Sequence, residues 1–234
     1  MTNELRIMTS GAFTAAHLQL IPEVEKLTGK KVVTVTTSVG TGETSIASRL
    51  QRGEVADVVI VAHDLLQQFI ADQLVFDAGH KKIASSMIGI AVRAGAPKPE
   101  IGNAEAFKRF LLAAKSVAYS ASVSGQYLTK DIYPRLGIAD EMLPKSHLIT
   151  GGVRTGAVVA RGDAEVCCQQ ISEMLPVEGI AHITPLPAAL QKVSLYVAGV
   201  GANGADKEAA RKMIELLASP AAAAAITQSG LEPA

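Results

Sequence analysis

The fold is decided by one short stretch, Ala56-Asp57-Val58-Val59-Ile60-Val61, in which apolar residues follow one another almost without interruption. Parallel strands that are buried on both faces have sequences of this kind. Two further strands are predicted before it, Leu5–Met8 and the β-branched stretch Val32–Thr36, and a helical pattern follows each strand. This alternation of strand and helix predicts an α/β fold.

The composition is that of a soluble, well-packed protein. The chain has 234 residues, of which 48% are hydrophobic and 19% are charged, so it can form one large domain or two lobes of roughly 100 residues each. Its 22 basic and 22 acidic residues cancel, which gives no electrostatic signature of nucleic acid or of a membrane surface as partner. An anionic partner would therefore have to be held by a few well-placed groups.

The cysteines and the beginning of the chain give two further expectations. Cys167 and Cys168 are adjacent, and we interpret both as small buried hydrophobic residues rather than as a disulfide, because neighbouring cysteines bridge only with strain. Residues 1–6 lack the basic start and apolar run of a signal peptide, and no window reaches the ~18 apolar residues of a membrane span. We expect a cytoplasmic protein without membrane insertion, or a periplasmic one if a leader has been removed.

Small polar loops follow the first two predicted strands, at 10–13 and 38–44. Ligands of α/β proteins bind at the carboxyl ends of the strands, where loops meet the N-termini of helices. The loops therefore predict a binding site, although the same residues are also common in loops that bind nothing.

Several short motifs resemble one family of proteins over nearly the whole chain. They are Thr9-Ser10-Gly11-Ala12-Phe13, Ser38-Val39-Gly40-Thr41-Gly42, Gly53-Glu54-Val55-Ala56-Asp57-Val58, Val123-Ser124-Gly125-Gln126-Tyr127, and Arg161-Gly162-Asp163-Ala164-Glu165 leading into Gln169-Gln170. In their order and spacing the chain resembles type II periplasmic binding proteins, in particular the molybdate-binding family and its branch of ABC-transporter-type solute-binding proteins.

The resemblance implies a fold, partners and a function. The fold is an α/β, two-lobed type II periplasmic-binding-protein fold with a ligand cleft between the lobes. Lobe one would comprise residues 1–84 and 197–234, and lobe two residues 85–196. A small anion would be the ligand, and the membrane components of an ABC transporter are candidate partners. Some relatives in this branch are aconitate isomerases.

The resemblance also implies a set of ligand-binding residues. Molybdate binders hold the oxyanion with two hydroxyls from lobe one, and with backbone N–H groups and a tyrosine from lobe two. Ser10 and Thr41 match the two hydroxyls, and Ser124 and Val153 match backbone contacts. Gln170 stands where molybdate binders have tyrosine, which favours a different ligand. The loops around these positions complete the predicted set with Gly11, Ala12, Phe13, Gly42, Ser122 and Gly125.

Arg154 is the sharpest candidate for a ligand contact. It follows two glycines and precedes a helix, and its planar guanidinium suits a carboxylate. The alternative is an arginine that faces solvent at the start of a helix, a position where the helix dipole mildly disfavours a positive charge. Arg154 and Gln170 together point to an organic acid.

Three functions remain open on the sequence alone: a solute-binding protein, an isomerase of a small tricarboxylate, and a cytosolic ligand sensor. An isomerase needs a base near the reacting carbon. His63 is the candidate catalytic residue, although it could equally be a histidine at a helix start, and Glu43 and Glu165 are further candidates. We find no nucleophile elbow, P-loop, zinc-protease or dinucleotide motif, and we predict neither a cofactor nor a metal.

Overall fold

The computed structural model describes residues 3–35, 37 and 42–234. The chain forms two compact units, a first unit of Met1–Ser86 with Ser194–Ala234 and a second unit of Met87–Val193. The lobe boundaries expected from the sequence, after residues 84 and 196, fall two and three residues from these positions.

Strands and helices alternate along most of the chain. The N-terminal part contains β1 (Glu4–Thr9), α1 (Gly11–Thr28), β2 (Lys31–Val35), α2 (Ile46–Gln51), β3 (Val58–Ala62), α3 (His63–Ala71) and β4 (Lys81–Arg93). The middle contains α4 (Ala104–Ala113), β5 (Val117–Ser120), α5 (Val123–Tyr127), a π-helical segment (Leu128–Ile132), α6 (Tyr133–Leu136), α7 (Ala139–Met142), β6 (Ser146–Ile149), α8 (Thr155–Arg161), β7 (Val166–Gln170), α9 (Ile171–Met174) and β8 (Ile180–Pro185). The C-terminal part contains β9 (Val193–Val200), α10 (Lys207–Leu217), α11 (Ala223–Gln228) and β10 (Glu232–Pro233).

The sheet of the first unit is built around β1 and β3. β1 pairs in parallel with β2 and with β3, where Thr9 lies opposite Ile60, and β9 pairs with β3 in the antiparallel direction. Along β3, Val58 and Ile60 pack into one apolar cluster, while Val59 and Val61 pack into another on the opposite face. The prediction of a strand buried on both faces is confirmed.

Helix α1 covers the first of these clusters. Its inward face includes Phe13, Leu20 and Val24, which are buried against residues of β1 and of α10. The helix ends at Gly29, which has φ of 67° and donates its backbone N–H to Glu25 O at 2.8 Å. Glycine suits this end of the helix, because other residues adopt the left-handed conformation only with strain.

The second unit repeats the arrangement with different strands. β5 pairs in parallel with β6 and β7, and both β7 and β8 pair with the second half of β4 in the antiparallel direction. Cys167 and Cys168 of β7 are buried, unbridged, and belong to apolar clusters on opposite faces of the strand. The interpretation of both cysteines as buried hydrophobic residues is confirmed.

Two elements depart from simple strand and helix patterns. β4 is long, and its first half pairs with the C-terminal strand β10, Ser85 lying opposite Glu232. A π-helical segment separates α5 from α6.

Candidate functional site

The residues predicted to bind ligand lie mainly at the carboxyl edges of the two sheets. We call the residues after β1 and β3, Ser10, Gly11 and His63, the first-unit edge. We call those at the ends of β5 and β7 and before α8, namely Ser120, Ser122, Ser124, Arg154, Gln169 and Gln170, the second-unit edge. Each edge forms because parallel strands end on the same side of their sheet.

Ser10 is the central group of the first-unit edge. It precedes α1, an 18-residue helix, and its backbone N–H donates to Ile60 O at 2.9 Å, which fixes the loop to β3. The side chain is only 5% exposed, and its Oγ has no hydrogen-bond partner among the described residues, not even an N–H of the helix that it precedes. A buried hydroxyl without a partner is costly, so its presence at the N-terminus of a helix is typical of a binding site for an anion.

The other residues predicted for the first unit differ in their exposure and backbone conformation. The side chains of Ala12 and Phe13 are buried in the core of the first unit, and Phe13 N donates to Ser10 O at 3.2 Å. Gly11 is exposed and Gly42 lies in a bend at φ of 120°, where a side chain would be strained. Thr41, the second predicted hydroxyl, lies outside the described residues.

His63 begins α3 directly after β3, which brings it to the same edge as Ser10. Its side chain is 40% exposed, and Nδ1 lies 3.4 Å from Asp64 Oδ1. The geometry fits either interpretation made from the sequence, a catalytic histidine or a histidine at a helix start. The further candidate Glu165 is far along β7 from the edge, since it precedes the strand and accepts the backbone N–H of Lys115 at 2.8 Å.

The second-unit edge contains a hydrogen-bond network of three serines and one glutamine. Ser120 Oγ and Ser122 Oγ are 2.8 Å apart, and Ser122 Oγ and Ser124 Oγ are 3.1 Å apart. Gln169 Oε1 accepts hydrogen bonds from the hydroxyls of Ser122 and Ser124, and Gln169 Nε2 donates to Ser120 Oγ at 3.0 Å. The network holds the serine hydroxyls in fixed directions.

Gln169 and Ser120 were not predicted as site residues, although the sequence carries a signal for Gln169. Two glutamines end a strand that is otherwise apolar, and a buried amide requires hydrogen-bond partners. Gln169 Oε1 also accepts the backbone N–H of Gln170 at 3.2 Å, which orients the end of β7. Gln170, predicted to replace the tyrosine of molybdate binders, is itself buried at this end of the strand.

Ser124 and Gly125 lie in the first turn of α5, and both are buried. A Cβ added to Gly125 would lie 1.8 Å from Ser120 O, so no side chain fits between α5 and β5. Glycine at this position lets the helix approach the strand closely, and it thereby brings Ser122 and Ser124 within reach of Gln169.

Val153 and Arg154 form the loop before α8. Val153 is 47% exposed, and Arg154 precedes the helix with an exposed side chain. Because the loop follows β6, which is parallel to β5, it lies at the same edge as the serine network. The geometry leaves the guanidinium of Arg154 accessible to an anion.

Glu173 is a further residue of this region that sequence reasoning missed. It lies in the first turn of α9, directly after β7, and its side chain is half-buried. Burial raises the pKa of Glu173 to about 7, and the nearby positive charge of Arg154 acts in the opposite direction. A carboxyl group with a pKa near neutrality is a common feature of functional sites.

No group of three or more His, Cys, Asp or Glu side chains within the described ranges is arranged to hold a metal ion. In those same ranges, no helix is long and apolar enough to cross a membrane. The two edges instead offer hydroxyl, amide and guanidinium donors, which suit a small anion.

Two α/β units, each with loops of small polar residues at the carboxyl ends of its parallel strands, are the arrangement found in solute-binding proteins. The chain belongs to the bacterial extracellular solute-binding protein family, whose model matches residues 5–232. Over 230 residues it is 39% identical to an aconitate isomerase of Pseudomonas sp., a match that covers 98% of this chain and 87% of the relative.

Solved structures share the fold at low sequence identity. The periplasmic molybdate-binding protein of Azotobacter vinelandii has a TM-score of 0.74 and 17% identity, with 97% of this chain and 98% of that one covered. A tungstate ABC transporter protein of Geobacter sulfurreducens has a TM-score of 0.70 and 18% identity, with 96% and 98% covered. The predicted fold class and the predicted resemblance to molybdate-binding-type solute-binding proteins are confirmed.

Proposed function

We propose that this protein binds a small polycarboxylate anion of the aconitate type. The observation that carries the proposal is the position of Arg154, exposed at the same sheet edge that holds a fixed network of serine hydroxyls. A guanidinium binds a carboxylate with two parallel hydrogen bonds, and hydroxyl donors satisfy the remaining oxygens. Within the first unit, Ser10 is a buried hydroxyl that lacks a partner in the described part of the chain, a donor of the kind that anions accept.

A carboxylate accounts for this donor set better than a metal oxyanion does. The molybdate-binding pattern inferred from the sequence uses uncharged groups and a tyrosine, whereas this chain has Gln170 at the tyrosine position and a cationic residue, Arg154, at the same edge of the sheet. A guanidinium can bind either kind of anion with two hydrogen bonds, so the preference for a carboxylate rests on the absence of the tyrosine that molybdate binders use.

A second candidate function is the isomerisation of aconitate. The 39% identity to an aconitate isomerase, spread over nearly the whole chain, favours it specifically. A transport receptor and an isomerase would both bind the tricarboxylate, but only the receptor would need the membrane components of an ABC transporter as partners. Turnover of the bound ligand therefore separates the two functions.

The first experiment is a thermal-shift screen of cis-aconitate, trans-aconitate, citrate, molybdate, tungstate and sulfate. A ligand at 100 times its Kd stabilises the folded state by about 2.7 kcal/mol, which is readily measured. We expect one or more of the tricarboxylates to raise the Tm and the inorganic anions to leave it unchanged.

The role of Arg154 is tested by titration calorimetry with the ligand that the screen identifies. Arg154→Ala should weaken binding at least tenfold, about 1.4 kcal/mol. Arg161→Ala is the matched control, because Arg161 ends the same helix and pairs with Asp163 at 3.0 Å. A screen in which only molybdate or tungstate binds, with Arg154→Ala unaffected, would contradict the proposal.

A further inference from the structure

We propose that Glu173 is the acid–base residue that transfers the proton in an aconitate-type isomerisation, with Arg154 as its electrostatic partner. The inference rests on the second function proposed above. It is drawn from the placement of a carboxyl group and a guanidinium at the edge where the serine network lies.

The topology brings Glu173 to this edge. β7 ends at Gln170, and α9 begins at the next residue, so Glu173 lies three residues beyond the strand end that carries the network. Arg154 lies at the start of α8, which packs against β7. The two side chains form no salt bridge within the described residues, so the carboxyl group is not neutralised by a direct contact.

The surroundings of Glu173 give it the acidity that proton transfer requires. Burial raises its pKa to about 7, because desolvation penalises the charged carboxylate, and the charge of Arg154 limits that rise. Near neutral pH both the carboxylate and the carboxylic acid are populated. A group that must first accept a proton and later return it works best under this condition.

The chemistry needs no group beyond these two residues and the substrate. The Glu173 carboxylate takes a proton from the methylene carbon of aconitate, and the electron pair of that C–H bond forms a double bond to the central carbon. The π pair of the original double bond moves to its outer carbon, which receives the proton back from Glu173. One C–H bond breaks and one forms, nothing is oxidised or reduced, and the new double bond can adopt the other geometry.

The carboxyl and imidazole groups predicted from the sequence are less suitable. Glu165 lies at the amino end of β7 and its carboxylate holds the backbone of Lys115. Glu43 is exposed, and its backbone carbonyl accepts a hydrogen bond from Arg52. His63 belongs to the first unit and has no cationic partner of the kind that Arg154 provides for Glu173 among the described residues.

The test is a comparison of Glu173→Gln with Glu165→Gln. Interconversion of cis- and trans-aconitate is followed by NMR in D₂O, which also reports deuterium entering the methylene position, and binding is followed by thermal shift. We expect Glu173→Gln to slow both interconversion and exchange at least about 100-fold, the effect of losing a general acid–base, while the thermal shift persists. Glu165→Gln should match the wild type, and Arg154→Lys should retain part of the activity.

The pH profile gives a second readout that a structural role would not change. The wild-type rate at low substrate should depend on a group titrating near pH 7, and this dependence should be absent from the residual rate of Glu173→Gln. Wild-type activity in Glu173→Gln would overturn the inference. A wild-type protein that binds tricarboxylates without interconverting or exchanging them would also overturn it and leave the binding proposal intact, whereas failure to bind any carboxylate would remove both.

Discussion

The two edges differ in whether their serine hydroxyls have hydrogen-bond partners among the described residues. At the first-unit edge, Ser10 Oγ is buried and has no partner within the described chain. At the second-unit edge, the hydroxyls of Ser122 and Ser124 are engaged with Gln169 before any ligand arrives. An unengaged donor gains a full hydrogen bond when an anion binds, whereas a fixed network selects ligands by shape and donor direction. A hydroxyl in the state of Ser10 should therefore contribute mainly affinity for a ligand that it contacts, and a network like that of the second-unit edge should contribute mainly specificity.

The largest expected effect follows from the close approach of α5 to β5. Gly125→Ala would place a Cβ 1.8 Å from Ser120 O, beneath the serine network, and we expect a loss of at least about 3 kcal/mol in the free energy of unfolding. Gly201→Ala, with a Cβ 1.9 Å from Ala56 O, should cost a similar amount in the first unit. Urea unfolding monitored by circular dichroism measures both.

The variants Gly125→Ala and Gly201→Ala should differ in their effect on ligand preference. Only Gly125→Ala displaces the network, so only this variant should also lose the ligand preference of whatever folded protein remains. Gly102→Ala is the control, because a Cβ there meets nothing within 4 Å, and it should change stability by less than about 0.5 kcal/mol. A wild-type urea midpoint for Gly125→Ala would show that α5 can move away from β5 at little cost, and the network would then not be rigid.

Individual elements show how much of the fold could be predicted from the sequence. The buried run Val58–Val61 and the glycine after α1 identify their elements because each depends on local physics, the burial of apolar residues and a left-handed backbone. The first half of β4 has no such signal, since it contains lysines and serines and becomes a strand by pairing with a C-terminal segment about 150 residues away.

The sequence indicates where the candidate site residues lie in the fold, but not which hydrogen bonds they make. The sequence directed attention to Ser10, Ser122, Ser124 and Arg154, and the structure places each of them at the edge of its own sheet. Nothing in the sequence indicates that one serine has no hydrogen-bond partner while the others are bound to a glutamine on another strand. Glu173 was missed because α9 has only four residues, too few for a periodic pattern to appear.

An effect of intermediate size is expected on the pH dependence of stability, to which His17 of the first unit and Glu173 of the second contribute with opposite signs. In the first unit, burial lowers the pKa of His17 to about 4, so between pH 4 and 6.5 the unfolded state binds more protons and stability falls on acidification, by about 3 kcal/mol in total. In the second unit, Glu173 has a raised pKa, so between pH 4.5 and about 7 the folded state binds more protons and stability falls as the pH rises.

Urea unfolding from pH 4 to 8 separates these two contributions. His17→Gln cannot titrate and should lose the decline on the acid side. Glu173→Gln should lose the decline toward neutral pH and be more stable than the wild type at pH 8, as expected where stability is sacrificed for a functional group. Parallel pH curves for the wild type and both variants would contradict the assignment of these slopes to His17 and Glu173.

The smallest expected effects are those on the free energy of unfolding when one hydroxyl oxygen is removed from each edge. They test the difference between the two edges most directly. Ser124→Ala removes a donor to Gln169, and we expect it to lower the free energy of unfolding by about 1 kcal/mol, the net value of a buried hydrogen bond. Ser10→Ala removes a buried hydroxyl that has no partner in the described chain, so stability should be unchanged or slightly higher.

Ligand binding should show the two edges contributing differently. Calorimetry with the tricarboxylate should find that Ser10→Ala weakens binding about tenfold, since no described residue gives the hydroxyl a hydrogen bond. Ser124→Ala should change the ranking among carboxylates more than the affinity for the best of them, because the remaining serines lose their fixed directions. Equal losses of stability in the two variants would mean that Ser10 has a hydrogen-bond partner in the folded protein. The proposed difference between the two edges would then be wrong.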